Sequence, residues 1–216
     1  LQVRSQLACS ARRLRPEAGV AIIRQLLQHS EDADDPHIPL LLWWAVEEHV
    51  EARQAIVSLM KGPLWTQPLV QQHIIERLMR RLALTGSQAD LMAAAILLES
   101  APDDASRGKL LSGFEQAYEG RSLVGLPARL LEAIAASGGG SLKLKLRLND
   151  NAAIETALAQ IQDSSVKSEI RQGLVSVFGQ IDCPRAVPVL LTLVADKSDL
   201  ALAAAALTSL QSYTAE

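Results

Sequence analysis

The chain reads as all-α, an α-solenoid in which antiparallel helix pairs stack one on the next. Three observations predict this. Leu and Ala dominate the chain and aromatic residues are only 3% of it. Helices favour that balance, because both residues lose little side-chain freedom in them, and sandwiches and barrels do not. Apolar residues recur at three- and four-residue intervals, the period of one helix face. The whole pattern then returns at intervals of roughly 25 to 37 residues, mostly within the range of helix-pair repeats.

The clearest copy runs from Val166 to Leu210. Val166, Ile170, Leu174, Val177 and Ile181 mark one helical face, and Asp182-Cys183-Pro184 breaks it. Val187, Leu190, Leu191 and Val194 mark a second face. After the turn Asp196-Lys197-Ser198-Asp199, a third face carries Leu200, Ala203, Ala204, Leu207 and Leu210. By the same reading, second helices of successive pairs start near Val3, Ile38, Pro68, Asp104, Ser141, Val166 and Leu200. First helices occupy residues 17–29, 51–61, 88–100, 126–137, 151–162 and 184–195. In the first of these, Val20, Ile23 and Leu27 are widened by Ile22 and Leu26, a stripe broad enough to pack on two sides.

Punctuation agrees with the division. Asp34-Asp35-Pro36, Gly62-Pro63, Thr85-Gly86-Ser87, Ala101-Pro102-Asp103 and Gly125-Leu126-Pro127 all fall between expected helices. Gly and Pro end helices there, and Ser or Asp can accept from the free amides that open the next. Residues 1–216 therefore read as a single array, with Ser137-Gly138-Gly139-Gly140-Ser141 as its best linker candidate. One stretch departs from the pattern: Leu142, Leu144, Leu146 and Leu148 alternate with Lys143, Lys145 and Arg147, the period of a strand. A lone strand in a helical array would leave its backbone groups without partners. A short, poorly amphipathic helix is expected instead.

The formal charge is -3, from 21 basic and 24 acidic residues, which argues against a dedicated nucleic-acid binder. No apolar run approaches a membrane span, so no direct membrane insertion is expected. The chain opens on Leu1 inside what reads as a helix, so a fragment of a larger multidomain protein is expected. Cys9 and Cys183 fall at opposite ends of the array, too far apart for a disulfide if the pairs stack.

No catalytic constellation emerges, and no metal or cofactor site is expected in this segment. The acidic run Glu31-Asp32-Ala33-Asp34-Asp35-Pro36-His37 lacks the glycine and the distal glutamate of a calcium loop. It reads as a solvated turn whose acids complement the amino terminus of the next helix. His29, His37, His49 and His73 show no i, i+4 zinc spacing and read as surface or capping groups. Gly138-Gly139-Gly140-Ser141-Leu142-Lys143 lacks the Lys-Ser/Thr ending of a phosphate loop. The basic groups Arg12-Arg13-Arg15, Arg77-Arg80-Arg81 and Lys143-Lys145-Arg147 all have acids nearby and read as solvated faces. The sharpest local signature is Trp43-Trp44. Neighbours on a helix point about 100° apart, so one indole can fill the core while the other meets a neighbouring helix or solvent. Trp43, Trp44 and Trp65 are the candidate partner-contact residues.

Val187-Pro188-Val189-Leu190-Leu191 through Asp196, followed by an Ala/Leu-rich helix, resembles a HEAT repeat. The stretches Val3-Arg4-Ser5-Gln6-Leu7-Ala8 and Glu31 to Pro39 with Leu40-Leu41-Leu42-Trp43-Trp44-Ala45 resemble something narrower. They look like the helical middle region of the haem-binding CxxCH, membrane-bound dehydrogenase-like proteins of planctomycetes and verrucomicrobia. That family joins a propeller-like dehydrogenase domain, a HEAT-like region and a c-type cytochrome domain. The resemblance implies an exported or periplasmic parent doing redox chemistry. Haem c would be held elsewhere in that parent, because the haem motif is missing from this stretch. The expected role is a non-catalytic HEAT-repeat scaffold. It would space flanking domains of the same chain or meet another protein. The rivals are a HEAT-like enzyme, of bilin lyase or DNA glycosylase type, and a free-standing peptide-binding adaptor. The enzyme would use Trp43, Trp44 and Trp65 with Glu47 or Glu48.

Overall fold

The computed structural model describes residues 2–121, 123, 125–196 and 198–213. Among them are thirteen α-helices and no strand. Contacts divide the chain into two compact units, Leu1–Glu119 with Gly125–Gly138, and Gly120–Val124 with Gly139–Glu216.

The first unit holds α1 (Gln2–Ala11), α2 (Pro16–Leu26), α3 (Ile38–Glu48), α4 (Arg53–Leu59), α5 (Ile75–Thr85), α6 (Gln88–Ser100), α7 (Asp104–Ala117) and α8 (Ala128–Ala136). Helices two places apart pack side by side. α1 lies on α3, and α5 on α7, while α2, α4, α6 and α8 follow one another in a second layer. The core between the layers contains Ile23, Leu27, Leu42, Ile56, Leu59, Leu78, Leu97 and Phe114, all at most 1% exposed. Phe114 stacks on Tyr118 with ring centroids 4.7 Å apart, a contact between neighbouring turns of one helix face.

The second unit holds α9 (Leu142–Arg147), α10 (Asn151–Gln162), α11 (Ser168–Phe178), α12 (Val187–Ala195) and α13 (Leu200–Leu210). Here α9, α11 and α13 pack in sequence on one side, and α10 meets α12 on the other. Their shared core includes Ile154, Ile161, Val175, Phe178, Leu190 and Leu202. The alternating stretch after Ser141 is helical: Leu144 and Leu146 are buried, and Ser141 caps the helix by accepting from the Leu144 amide at 3.3 Å. Two adjacent turns of a short helix, buried on both flanks, mimic a strand in sequence.

Side-chain caps open five of the described α-helices. Asp103, Asp150 and Asp199 each accept the amide three residues on, at 2.7, 2.9 and 3.0 Å. At α6 Ser87 accepts the Asp90 amide at 3.2 Å and donates its hydroxyl to the Asp90 carboxylate at 2.6 Å. Gly86 closes α5 with φ 66°, a left-handed conformation that other residues rarely adopt. A helix opens at Pro68, as the sequence reading expects, but its first turns take a form that reading did not foresee. Val70–Ile74 forms a π-helical segment that runs into α5. Wider π turns shift the backbone ladder, and the Gln71 carbonyl there accepts from Lys109 Nζ at 2.7 Å.

Bonds between helix pairs link residues 28 to 40 positions apart. Arg4 donates to Asp32 across 28 residues, Arg24 to the Ser58 carbonyl across 34 and Arg53 to Asp90 across 37. Gln116 reaches Glu76 across 40 residues, Ser168 reaches Asp199 across 31 and Ser209 reaches the Val175 carbonyl across 34. Glycine supplies the closest crossings. A Cβ on Gly113 of α7 would overlap the Glu76 carbonyl oxygen and stand 3.0 Å from its carbon, so α5 and α7 touch backbone to backbone there.

Candidate functional site

The first unit carries a cleft of about 650 Å³ between α1 and α3. Ala8, Cys9, Arg12 and Arg13 line it from α1 and the turn after it. Leu14 and Pro16 form the end where the chain turns into α2. Leu41, Trp44 and Glu48 line the opposite wall from one face of α3, at spacings of three and four, and His49 follows them.

His49 builds the base. Its ring is 3% exposed, and Nε2 lies 2.9 Å from the Ala11 carbonyl at the end of α1. A carbonyl only accepts, so Nε2 carries the proton in this contact. The histidine thus adds a donor to a carbonyl at the helix end that the Leu14 amide also reaches, at 3.3 Å. Gly19 makes the room: a Cβ there would overlap Nε2 and stand 2.6 Å from the Ala11 oxygen. Arg12 donates to Glu48 at 3.2 Å across the mouth, with both side chains about half exposed. Arg13 and Arg15 are exposed and form no ion pair among the described residues.

The candidate tryptophans part company. Trp44 is 42% exposed and stands in the cleft, whereas Trp43 and Trp65 are buried at 9% and 3%. Glu47 turns to Arg81 at 3.8 Å, so of the residues an enzyme reading needs, Trp44 and Glu48 share this cleft and the others lie elsewhere. Cys9 is an exposed free thiol on its rim, and Cys183 is a buried free thiol in the second unit. Among the described residues no three His, Cys, Asp or Glu groups converge in a way that could hold a metal ion. None of their helices is long and apolar enough to cross a membrane.

The acidic run before α3 divides its labour, and one expectation about it needs correcting. Asp35 accepts the amides of His37 and Ile38, both at 2.9 Å, and those two bonds hold its carboxyl below the usual range. This is the expected cap. Asp32, in contrast, is fully buried rather than solvated, and Arg4 grips it with two bonds of 2.6 and 2.7 Å. The signal was the run itself read against Arg4 one repeat earlier: a carboxylate beside Ala33, with a cation one repeat away, can turn inward. His29 sits 3.0 Å from Glu31 beside this pair, and His73 lies 2.9 Å from the Ala33 carbonyl.

No family model matches the chain, and no curated protein or solved structure shows significant similarity to it.

Proposed function

We propose that this chain is a non-catalytic scaffold of HEAT-like helix pairs, which offers surface to a partner and spaces the parts of a longer protein. The observation that supports it best is the spacing of the bonds between pairs. They link residues from 28 apart, as in Arg4–Asp32, to 40 apart, as in Gln116–Glu76. A repeat array couples each unit to its neighbours in this way, so its energy is close to a sum of local terms. A compact enzyme domain instead draws residues from distant parts of the chain into one site.

The resemblance of the first fifty residues carries the reading further. On it, the segment stands between a dehydrogenase-like domain and a c-type cytochrome domain of an exported redox protein, and its partners are those flanking domains. Reading the coding sequence on either side tests this part. A Cys-x-x-Cys-His downstream with propeller-type repeats upstream supports it, and a chain without either refutes the spacer role. The scaffold role itself is tested by native-state hydrogen exchange. Destabilising α6 should lower protection in α5, α7 and the adjoining α4 and α8 more than in α1. Equal loss throughout the first unit counts against an array.

A further inference from the structure

Resting on the scaffold reading, we propose that the cleft between α1 and α3 docks an acidic peptide segment, with an apolar side chain laid on Trp44 and carboxylates held by the arginine rim. The floor and the rim have different chemistry. Leu41 and Trp44 give an apolar wall, and Leu14, Leu40 and Trp44 are 42%, 41% and 42% exposed around it. Leu40 and Trp44 stand one helical turn apart on α3, so the apolar strip continues beyond the cleft. Scattered exposed leucines are ordinary, but an exposed tryptophan inside a concave site is the kind of residue that dominates binding energy.

Charge selects the occupant. Arg12 and Arg13 line the mouth, and the acid in the cleft lining, Glu48, is already engaged by Arg12. Arg13 therefore presents its guanidinium group to solvent, with the flat fork that grips a carboxylate in two places. This local excess stands on a chain whose formal charge is -3, so it is not part of a general basic field of the type that binds nucleic acid or an anionic membrane. A cavity of about 650 Å³ takes a few side chains rather than a folded domain.

The test uses the full chain and fluorescence anisotropy with a labelled short peptide of alternating glutamate and leucine, beside a lysine–leucine control. Saturable binding is expected for the acidic peptide alone, weakening as salt rises. Trp44→Ala and Arg13→Glu should each weaken it by about tenfold or more, as truncation of a binding hot spot does. Arg77→Glu, at an exposed position on α5, should leave it unchanged. Because Trp44 and Arg13 are exposed, circular dichroism should show both variants folded. Equal binding of the lysine peptide, no saturable binding of the acidic one, or binding to phosphatidylserine vesicles or single-stranded RNA in its place would overturn the proposal. Loss of the peptide result with neighbour-limited hydrogen exchange intact sinks this inference alone, while exchange spread evenly sinks the array and leaves the cleft standing.

Discussion

Two glycines of α7 should respond with opposite signs to the same substitution. Gly108 is exposed, and a Cβ added there meets nothing within 4 Å. Gly108→Ala should then gain only the helix propensity difference, a stabilisation of about 1 kcal/mol. Gly113 faces α5 at the backbone crossing, where its Cβ would overlap the Glu76 carbonyl oxygen and lie 3.2 Å from the Arg80 amide nitrogen. Neither obstacle is a flexible side-chain end, so the two helices must separate. Overpacking of this kind costs about 1–3 kcal/mol, and the propensity gain offsets about 1 of it. The variant should sit about 0–2 kcal/mol below the parent, and the two variants about 1–3 kcal/mol apart. Urea denaturation followed by tryptophan fluorescence and by circular dichroism measures both. If Gly113→Ala proved as stable as Gly108→Ala, the close packing of α5 on α7 would be wrong.

Other expectations follow from the same geometry. Trp65→Ala should destabilise by about 3–5 kcal/mol because the indole is 3% exposed, while Trp44→Ala should change the midpoint little; thermal melts compare them. Ser87→Ala removes the cap of α6 and should cost about 1 kcal/mol, read from the same denaturation curves. Stability should fall in acid. The bonds from the Ser106 amide and hydroxyl hold the Asp103 carboxyl below its ordinary 3.8, so the unfolded chain takes up that proton first. The contribution is present above pH 3.8 and is lost as pH drops through the lowered folded value. Asp103→Asn keeps a capping oxygen and should flatten the acid limb; an unchanged limb would contradict this. Tyr213 donates its hydroxyl to the Phe178 carbonyl at 2.5 Å, and burial pushes its pKa up to about 12. Spectrophotometric titration in alkali should find Tyr213 ionising late, and Tyr213→Phe should remove that step.

Most helices were legible because their signals are local. Capping Ser and Asp, left-handed Gly86 and the apolar spacing of each face all act within a few residues, and the expected starts at Ile38, Asp104 and Leu200 coincide with α3, α7 and α13. Even Leu142 to Leu148 yielded to a backbone argument about unpaired strands. What was illegible depends on partners far along the chain. The burial of Asp32 needs Arg4, the burial of His49 needs the missing side chain of Gly19, and the π segment is bound up with Trp65, Ser106 and Lys109 through Gln71. Which of the adjacent tryptophans faces out also depends on how α1 lies on α3. The cleft was hidden for that reason: its lining is split between Ala8–Pro16 and Leu41–His49, and neither half has a motif of its own.

Methyl-to-methyl nuclear Overhauser contacts on the full chain, with Ala, Ile, Leu and Val methyls labelled, test the pairwise stacking most directly. Contacts are expected between α1 and α3, α5 and α7, α11 and α13, and step by step from α2 through α4 and α6 to α8. Strong contacts between α2 and α8, skipping the helices between them, would contradict it.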